Sequence, residues 1–173
     1  MARVGWVALI LAIGVGIGFY MSDGREGPAR PDGLRLGVSY DQALRHLGDQ
    51  FAMEKAALAD GRERWIGTSG EVKATVELIG EAADLSRAAL VIWMPLDAEH
   101  LSVYHRNRVV LFRFLDDTTP EIRGQYSWRS TALDQFREGT STLEEKVVAS
   151  RQIRLRFEPE SEMVHAFVEP LGQ

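Results

Sequence analysis

Residues 4–21, VGWVALILAIGVGIGFYM, are eighteen consecutive residues without a charged side chain. As an α-helix this stretch would be about 27 Å long, which nearly spans the hydrocarbon core of a bilayer. A core helix of a soluble domain normally carries charged or strongly polar interruptions, and this stretch has no charge at all. We therefore predict that residues 1–21 form a single N-terminal transmembrane or signal-anchor helix.

The apolar stretch is longer than the core of a usual signal peptide, which is about 7 to 15 residues, and no A-x-A cleavage site follows it. This favours a retained anchor, and cleavage after the small residues at 16–18 or 22–24 is the alternative. Arginines lie on both sides of the stretch, so the positive-inside rule does not decide its orientation. A short tail before a signal-like segment commonly leaves the following domain exported. We expect a single-pass protein of a bacterial inner membrane, with its soluble domain in the periplasm or outside the cell.

Small residues recur along one side of the predicted membrane helix, at Ala8, Ala12 and Gly16. Small residues at this spacing let two membrane helices approach closely, which predicts a homodimer within the membrane. The alternative is that small residues are simply common in membrane helices, and that explanation is favoured.

Residues 22–33, SDGREGPARPDG, are rich in glycine, proline and charge and cannot form an apolar face. We predict a flexible linker there and a soluble domain over residues 34–173. Hydrophobic residues make up 45% of the chain and charged residues 26%, which is typical of a globular protein with one core.

Charge and cysteine content exclude several classes of function. The 20 basic and 25 acidic residues give a net charge of -5, so no nucleic-acid partner is predicted. The chain has no cysteine, which excludes disulfides, thiolate zinc sites and thiol nucleophiles. No sequence motif indicates a cofactor.

The start of the soluble domain carries a helix signal. Ser39 and Gln42 stand at the spacing of a capping box, which predicts a helix that ends at Gly48 in a left-handed conformation. Asp60-Gly61 then predicts a hairpin with a tight type I′ turn. The alternative extends the first helix through Ala59, because Ala, Glu, Lys and Met favour helices.

The remaining elements follow from hydrophobic periodicity. Alternation predicts a strand over residues 72–78, and an apolar run predicts a central strand over residues 88–94. Further predicted elements are helices over 98–115 and 124–137, and strands over 143–149, 152–157 and 163–168. Segregated strands and helices of this kind predict an α+β fold, with an antiparallel sheet and helices packed on one face.

Residues 36–48, LGVSYDQALRHLG, resemble the opening of small bacterial extracytoplasmic domains. Those domains have the β-lactamase-inhibitor-protein-like fold, which is found also in a small outer-membrane assembly lipoprotein. The resemblance implies a protein-binding module that offers a sheet face to its partner, and it carries over no catalytic residue. This chain departs from the lipoprotein in having no cysteine to lipidate.

Residues that could carry chemistry are scattered. The four histidines do not show the spacing of a metalloprotease, and the acidic clusters at 116–117, 144–145 and 158–162 lie near predicted element ends, where solvated acids are common. Neither a catalytic nor a metal site is predicted, and we favour a non-enzymatic role.

The predicted outward face of the last two strands combines arginine with histidine and phenylalanine. Such a mixture is typical of protein interfaces, and its alternative is an ordinary solvated sheet face. The candidate partner-binding residues are Arg154, Arg156, His165 and Phe167, and the residues that lie beside them in this prediction are Lys73, Thr75 and Glu77.

Together these patterns predict a membrane-tethered extracytoplasmic domain that binds a protein or an envelope component. One alternative is an envelope hydrolase whose site is assembled only in three dimensions. Another is an accessory subunit of a membrane complex.

Overall fold

The computed structural model describes residues 34–59 and 61–172. The predicted membrane segment, its small residues Ala8, Ala12 and Gly16, and the predicted linker lie outside the described residues. Among the helices that are described, none is both long and apolar enough to cross a membrane.

Seven strands form one sheet in which every neighbouring pair is antiparallel. The spatial order is β1-β2-β3-β4-β7-β6-β5, so the connection from β4 to β5 passes over the later strands and contains both long helices. The strands are β1 (Ala52–Ala57), β2 (Glu63–Ser69), β3 (Ala74–Glu81), β4 (Asp84–Trp93), β5 (Leu143–Val148), β6 (Arg151–Glu158) and β7 (Met163–Pro170).

Helices α1 (Tyr40–Ala43), α2 (Leu101–Thr118) and α3 (Tyr126–Glu138) accompany the sheet, with short 3-10 turns at Gly48–Gln50 and Pro120–Ile122. This arrangement confirms the predicted α+β class and the antiparallel sheet with helices packed on it. The later predicted elements are confirmed as well, with ends that differ by a few residues.

The alternation of each strand divides the sheet into two faces. On the inner face Leu90 stands between Val76 and Ala166, and all three are buried. Phe157 of β6 stacks on Phe136 of α3 with ring centroids 5.8 Å apart, which identifies the face that meets this helix. We call the opposite face, which carries Arg154 of β6, the outer face.

The N-terminal cap forms, but the helix it starts is short. The Ser39 hydroxyl accepts a hydrogen bond from the Gln42 amide at 3.2 Å, as predicted. The predicted extension to Gly48 is wrong, since α1 ends at Ala43 and Gly48 begins a 3-10 turn without a positive φ. The amide of His46 donates to Asp117 Oδ2 at 3.0 Å, not to a carbonyl of its own helix, and this contact interrupts the helical bonding.

The predicted hairpin between β1 and β2 is confirmed, so the alternative of a helix through Ala59 is wrong. Its turn is longer than the predicted type I′ turn, because the Leu58 amide donates to the Arg62 carbonyl and three residues lie between them. Gly61 has a φ of +83°, which glycine adopts without steric cost.

Residues 35–38 run beside the start of β4. The Leu36 amide donates to the Leu85 carbonyl at 2.6 Å, and the Leu85 amide donates to the Val38 carbonyl at 2.8 Å. The Leu36 carbonyl accepts a hydrogen bond from Arg151 Nε of β6 at 2.6 Å. The described chain is thus bonded to two different strands close to its N-terminal end.

Arg129 of α3 is fully buried beside the turn that joins the two long helices. Its guanidinium donates to the carbonyls of Phe112, Ile122 and Gln125 at 3.0 to 3.2 Å. Its Nη2 also lies 2.9 Å from Asp116 Oδ1, an ion-pair distance without hydrogen-bond alignment. One side chain therefore ties α2, α3 and their connection together.

Candidate functional site

The four predicted partner-binding residues lie side by side. Arg154 stands directly opposite Phe167, and Arg156 stands directly opposite His165, on the adjacent strands β6 and β7. Because the two pairs are two residues apart on each strand, all four side chains point to the outer face. Sequence alternation was sufficient to predict their common face, and the register of β6 with β7 brings them side by side.

Phe167 lies close to two guanidinium groups. Arg87 Cζ is 5.5 Å and Arg154 Cζ 5.7 Å from the centre of its ring, which is within the range of cation–π contacts. Glu169 holds both arginines, since its Oε2 accepts from Arg154 Nη2 at 2.7 Å and its Oε1 lies 3.4 Å from Arg87 Nε. These contacts fix the orientation of the aromatic ring and of its cationic neighbours.

Arg87 and Glu169 are site residues that the sequence analysis missed. The predicted strands began at residue 88 and ended at residue 168, whereas β4 begins at Asp84 and β7 ends at Pro170. Extending the alternation outward by one residue would have placed both side chains on the outer face of their strands, and the pairing of β4 with β7 then brings Arg87 beside Phe167.

His165 is the histidine of this cluster, and most of its side chain is buried. Its side chain is 11% exposed, and its ring stacks on that of Phe167 with centroids 6.3 Å apart. Burial lowers the pKa of His165 below its usual value, and Arg156 acts in the same direction. Glu158 Oε2, 3.8 Å from Nε2, partly offsets this effect on the pKa. His165 is therefore neutral at pH 7.

This lowered pKa gives a testable dependence of stability on pH. The unfolded chain protonates this histidine near pH 6.5, and the folded chain protonates it only at lower pH. The contribution of neutral His165 is complete above pH 6.5 and is lost as the pH falls from there through the folded pKa. We expect His165→Gln to flatten this part of the curve of unfolding free energy against pH.

Urea denaturation between pH 7 and pH 5 measures the effect. The matched control is His105→Gln, since His105 is exposed on α2, and this variant should keep the wild-type slope. An unchanged slope in the His165→Gln chain would contradict the burial of a neutral imidazole.

The residues of β3 that were predicted beside the site lie on the same face but are buried. Glu77 is only 2% exposed and is joined to the site through Ala89, which stands between Glu77 and Phe167. Its Oε1 accepts from Arg64 Nε at 2.5 Å, and this ion pair makes the buried carboxylate tolerable. Thr75 is likewise buried.

Lys73 precedes β3 with a φ of +47°, and its Nζ lies 3.6 Å from the ring centre of Trp93. Thr75 and Glu77 therefore lie on the predicted face but are buried there, and Lys73 stacks on an aromatic ring.

Three of the side chains that were considered for chemistry, His46, Asp116 and Asp117, have structural partners. Asp117 is fully buried, and its Oδ1 lies 2.7 Å from His46 Nδ1. The neighbouring Asp116 pairs with Arg129 instead, so the two carboxylates do not act on a common atom. Within the described chain the His46 ring forms its hydrogen bond with Asp117.

The His46–Asp117 pair ties the turn after α1 to the C-terminal end of α2, and we assign it a structural role. Within residues 34–59 and 61–172, no group of three or more histidine, aspartate or glutamate side chains could hold a metal ion.

The outer-face cluster is therefore the candidate site, composed of Arg87, Arg154, Arg156, His165, Phe167 and Glu169. Comparison of the chain with models of protein families, with curated proteins and with solved structures finds no match, so the resemblance of residues 36–48 gains no support and this chain is assigned to no family.

Proposed function

We propose that the soluble domain is a non-enzymatic binding module that receives a protein partner on the outer face of its sheet. The observation that carries this proposal is the pair of guanidiniums around Phe167, with His165 stacked on the same ring. Arginine and aromatic side chains are enriched among the residues that dominate binding energy at protein interfaces.

The contacts within the cluster also favour binding because they order it in advance. Glu169 fixes Arg154 and Arg87, and the Phe167 ring contacts both arginines and His165, so little side-chain entropy remains to be lost when a partner docks. Helix α3 packs on the inner face, and on the outer face the side chains of Arg154 and Arg156 remain accessible to a partner.

The chemistry of the cluster indicates the kind of partner. Arg87 and Arg154 contact Phe167, Arg156 stands opposite the neighbouring His165, and Glu169 is the carboxylate that pairs with Arg87 and Arg154. A protein segment that combines a carboxylate with an apolar or aromatic side chain would match this surface, because its carboxylate can reach guanidinium donors while its apolar group covers the ring.

We further propose that residues 4–21 hold this domain at the inner membrane, with the domain on the periplasmic side. The eighteen uncharged residues support the anchor. Protease treatment of intact cells and of cells with an opened outer membrane tests the orientation. Cleavage of the domain after the outer membrane is opened is expected, and protection until the inner membrane is opened would place it in the cytoplasm.

Charge reversal on the outer face tests the binding function. We expect Arg156→Glu to reduce recovery of cross-linked partners from native membranes by about tenfold, because a guanidinium contact becomes a repulsion of the partner carboxylate. Arg156 is exposed and does not take part in the Arg154–Glu169 pair, so this ion pair should be kept in the variant.

Arg113→Glu is the matched control, since Arg113 is an exposed arginine of α2. It makes the same change of net charge away from the outer face and should leave recovery unchanged. Equal recovery of the same partners by the wild-type chain and both variants would refute the proposal. The envelope hydrolase and the accessory subunit stay predictions from the sequence.

A further inference from the structure

Strand β5 is one edge of the sheet, with β6 on one side and no strand of the described residues on the other. Edge strands present unpaired backbone groups, and soluble proteins usually block such edges or use them for pairing. The side chains and backbone groups of β5 therefore decide what this edge can bind.

The backbone groups that point away from β6 can be identified from two contacts. The Phe157 amide donates to the Thr142 carbonyl at 2.9 Å, so residues 142, 144 and 146 bond to β6 and the alternate residues point outward. The contacts of Leu143 support this assignment. Its amide donates to the Ser141 hydroxyl at 3.3 Å, and the same hydroxyl donates to the Leu143 carbonyl at 3.0 Å, so neither group bonds to β6. Glu145 and Val147 share its outward orientation.

Two large apolar side chains stand on the outer face of this edge. Leu143 is 51% exposed and Val147 is 56% exposed, and they lie four residues apart on one side of the strand. They flank Glu145, which stands opposite Arg154 of β6. On the inner face the same strand carries Glu144 and Lys146, which have opposite charges.

We propose that β5 pairs with β5 of a second copy of this chain, antiparallel and about a two-fold axis at Glu145. This register places Leu143 of each copy against Val147 of the other, on the outer face. It also places Glu144 of each copy against Lys146 of the other, on the inner face. The strand is therefore complementary to itself in both apolar contact and charge, as an isologous interface requires.

The backbone agrees with this axis. Glu145 is an outward-pointing residue, so the two copies of Glu145 form a hydrogen-bonded pair, and Leu143 and Val147 extend the same ladder on both sides. A register shifted by one residue would oppose side chains from different faces and lose both the apolar and the charged pairs.

Two features weaken the pairing and make it reversible. The two Glu145 carboxylates meet at the axis, and Arg154 of each copy stands beside its own glutamate and reduces the repulsion. The Ser141 hydroxyl occupies the amide and carbonyl of Leu143 and must leave them when a second copy binds. The pairing shares Arg154 with the partner site around Phe167, but it does not require a partner to be bound there.

Disulfide trapping tests the register, and the absence of cysteine from the chain makes it specific. In the full-length Glu145→Cys chain the two Cα atoms across the axis are about 5.5 Å apart, within the range that a disulfide spans. We expect this variant to form a covalent dimer under mild oxidation, at least about tenfold faster than Val147→Cys. The two copies of residue 147 are about 14 Å apart in this register and cannot be bridged.

Mixing experiments give an independent readout. In the Glu145→Lys chain the two residues at the axis have like charges in both homodimers and opposite charges only in a mixed dimer. Labelled wild-type and Glu145→Lys chains should therefore form more heterodimer than random pairing gives. Ser141→Ala frees the edge at Leu143 and should strengthen self-association, whereas Val147→Lys should weaken it.

Equal cross-linking of Glu145→Cys and Val147→Cys chains would overturn the proposal, since it would indicate chance collision or an interface elsewhere. Random pairing in the Glu145→Lys mixture would overturn it as well. Loss of the partner bound around Phe167 would leave these outcomes unchanged, so failure of the proposed function is distinguishable from failure of this inference.

Discussion

Replacing Arg129 with methionine is expected to lower the free energy of unfolding by about 3 to 5 kcal/mol. Methionine keeps an unbranched side chain of comparable length, so the loss comes from the polar groups that it cannot satisfy. The carbonyls of Phe112 and Ile122 would lose their buried donors, and Asp116 would lose its cation. Urea denaturation followed by tryptophan fluorescence measures the change.

Arg137→Met is the control for this prediction. Arg137 lies on the same helix, two turns later, and is exposed. The same chemical change there should alter the unfolding free energy by less than about 0.5 kcal/mol. Similar losses in both variants would show that the buried guanidinium contributes no more than a surface arginine.

Replacing Gly80 with alanine is expected to lower the free energy of unfolding by about 3 kcal/mol or more. Two separate effects of the added Cβ contribute to this loss. Gly80 has a φ of +142°, which side-chain-bearing residues rarely adopt, and it lies at the irregularity in pairing between β3 and β4. An added Cβ would also lie 2.5 Å from the Ser86 amide nitrogen. That neighbour is backbone and cannot move away cheaply.

Gly70→Ala separates this local effect from the general consequence of removing a glycine. An added Cβ at Gly70 meets no atom within 4 Å, and its φ is not positive. We expect that variant to be neutral or slightly more stable, because alanine restricts the unfolded chain. If Gly80→Ala were equally neutral in the same denaturation experiment, the strained turn of β3 into β4 would be contradicted.

The central strands were predictable because their side chains alternate with little ambiguity. Val76 and Leu78 face inward, as their period-two pattern required, and the hairpin before them follows from Gly61 between two strand-forming runs. Alternation did not predict that the side chains on the other face of β3 are buried as well. Glu77 is covered because Arg64 on β2 reaches it, and sequence spacing does not reveal cross-strand register.

The first helix was overpredicted for a related reason. The capping signal at Ser39 is local and is confirmed, but its end depends on Asp117, which is 71 residues further along the chain from His46. Of the candidate site, the four residues of β6 and β7 came from periodicity. Arg87 belongs to the site because β4 pairs with β7. Both long helices and two strands lie between β4 and β7 in the sequence, so no local sequence pattern predicts this pairing.

The bonds made by residues 35–38 have a mechanical consequence. If the preceding chain is anchored, tension enters the fold at residue 34 and meets the Leu36–Leu85 bond to β4 and the Arg151 bond to β6 together. The force is therefore shared by β4 and β6, which lie on either side of β7, so neither strand has to separate from the sheet by itself. When pulled from this end, the domain should unfold at a higher force than a domain whose first strand lies at an edge of the sheet.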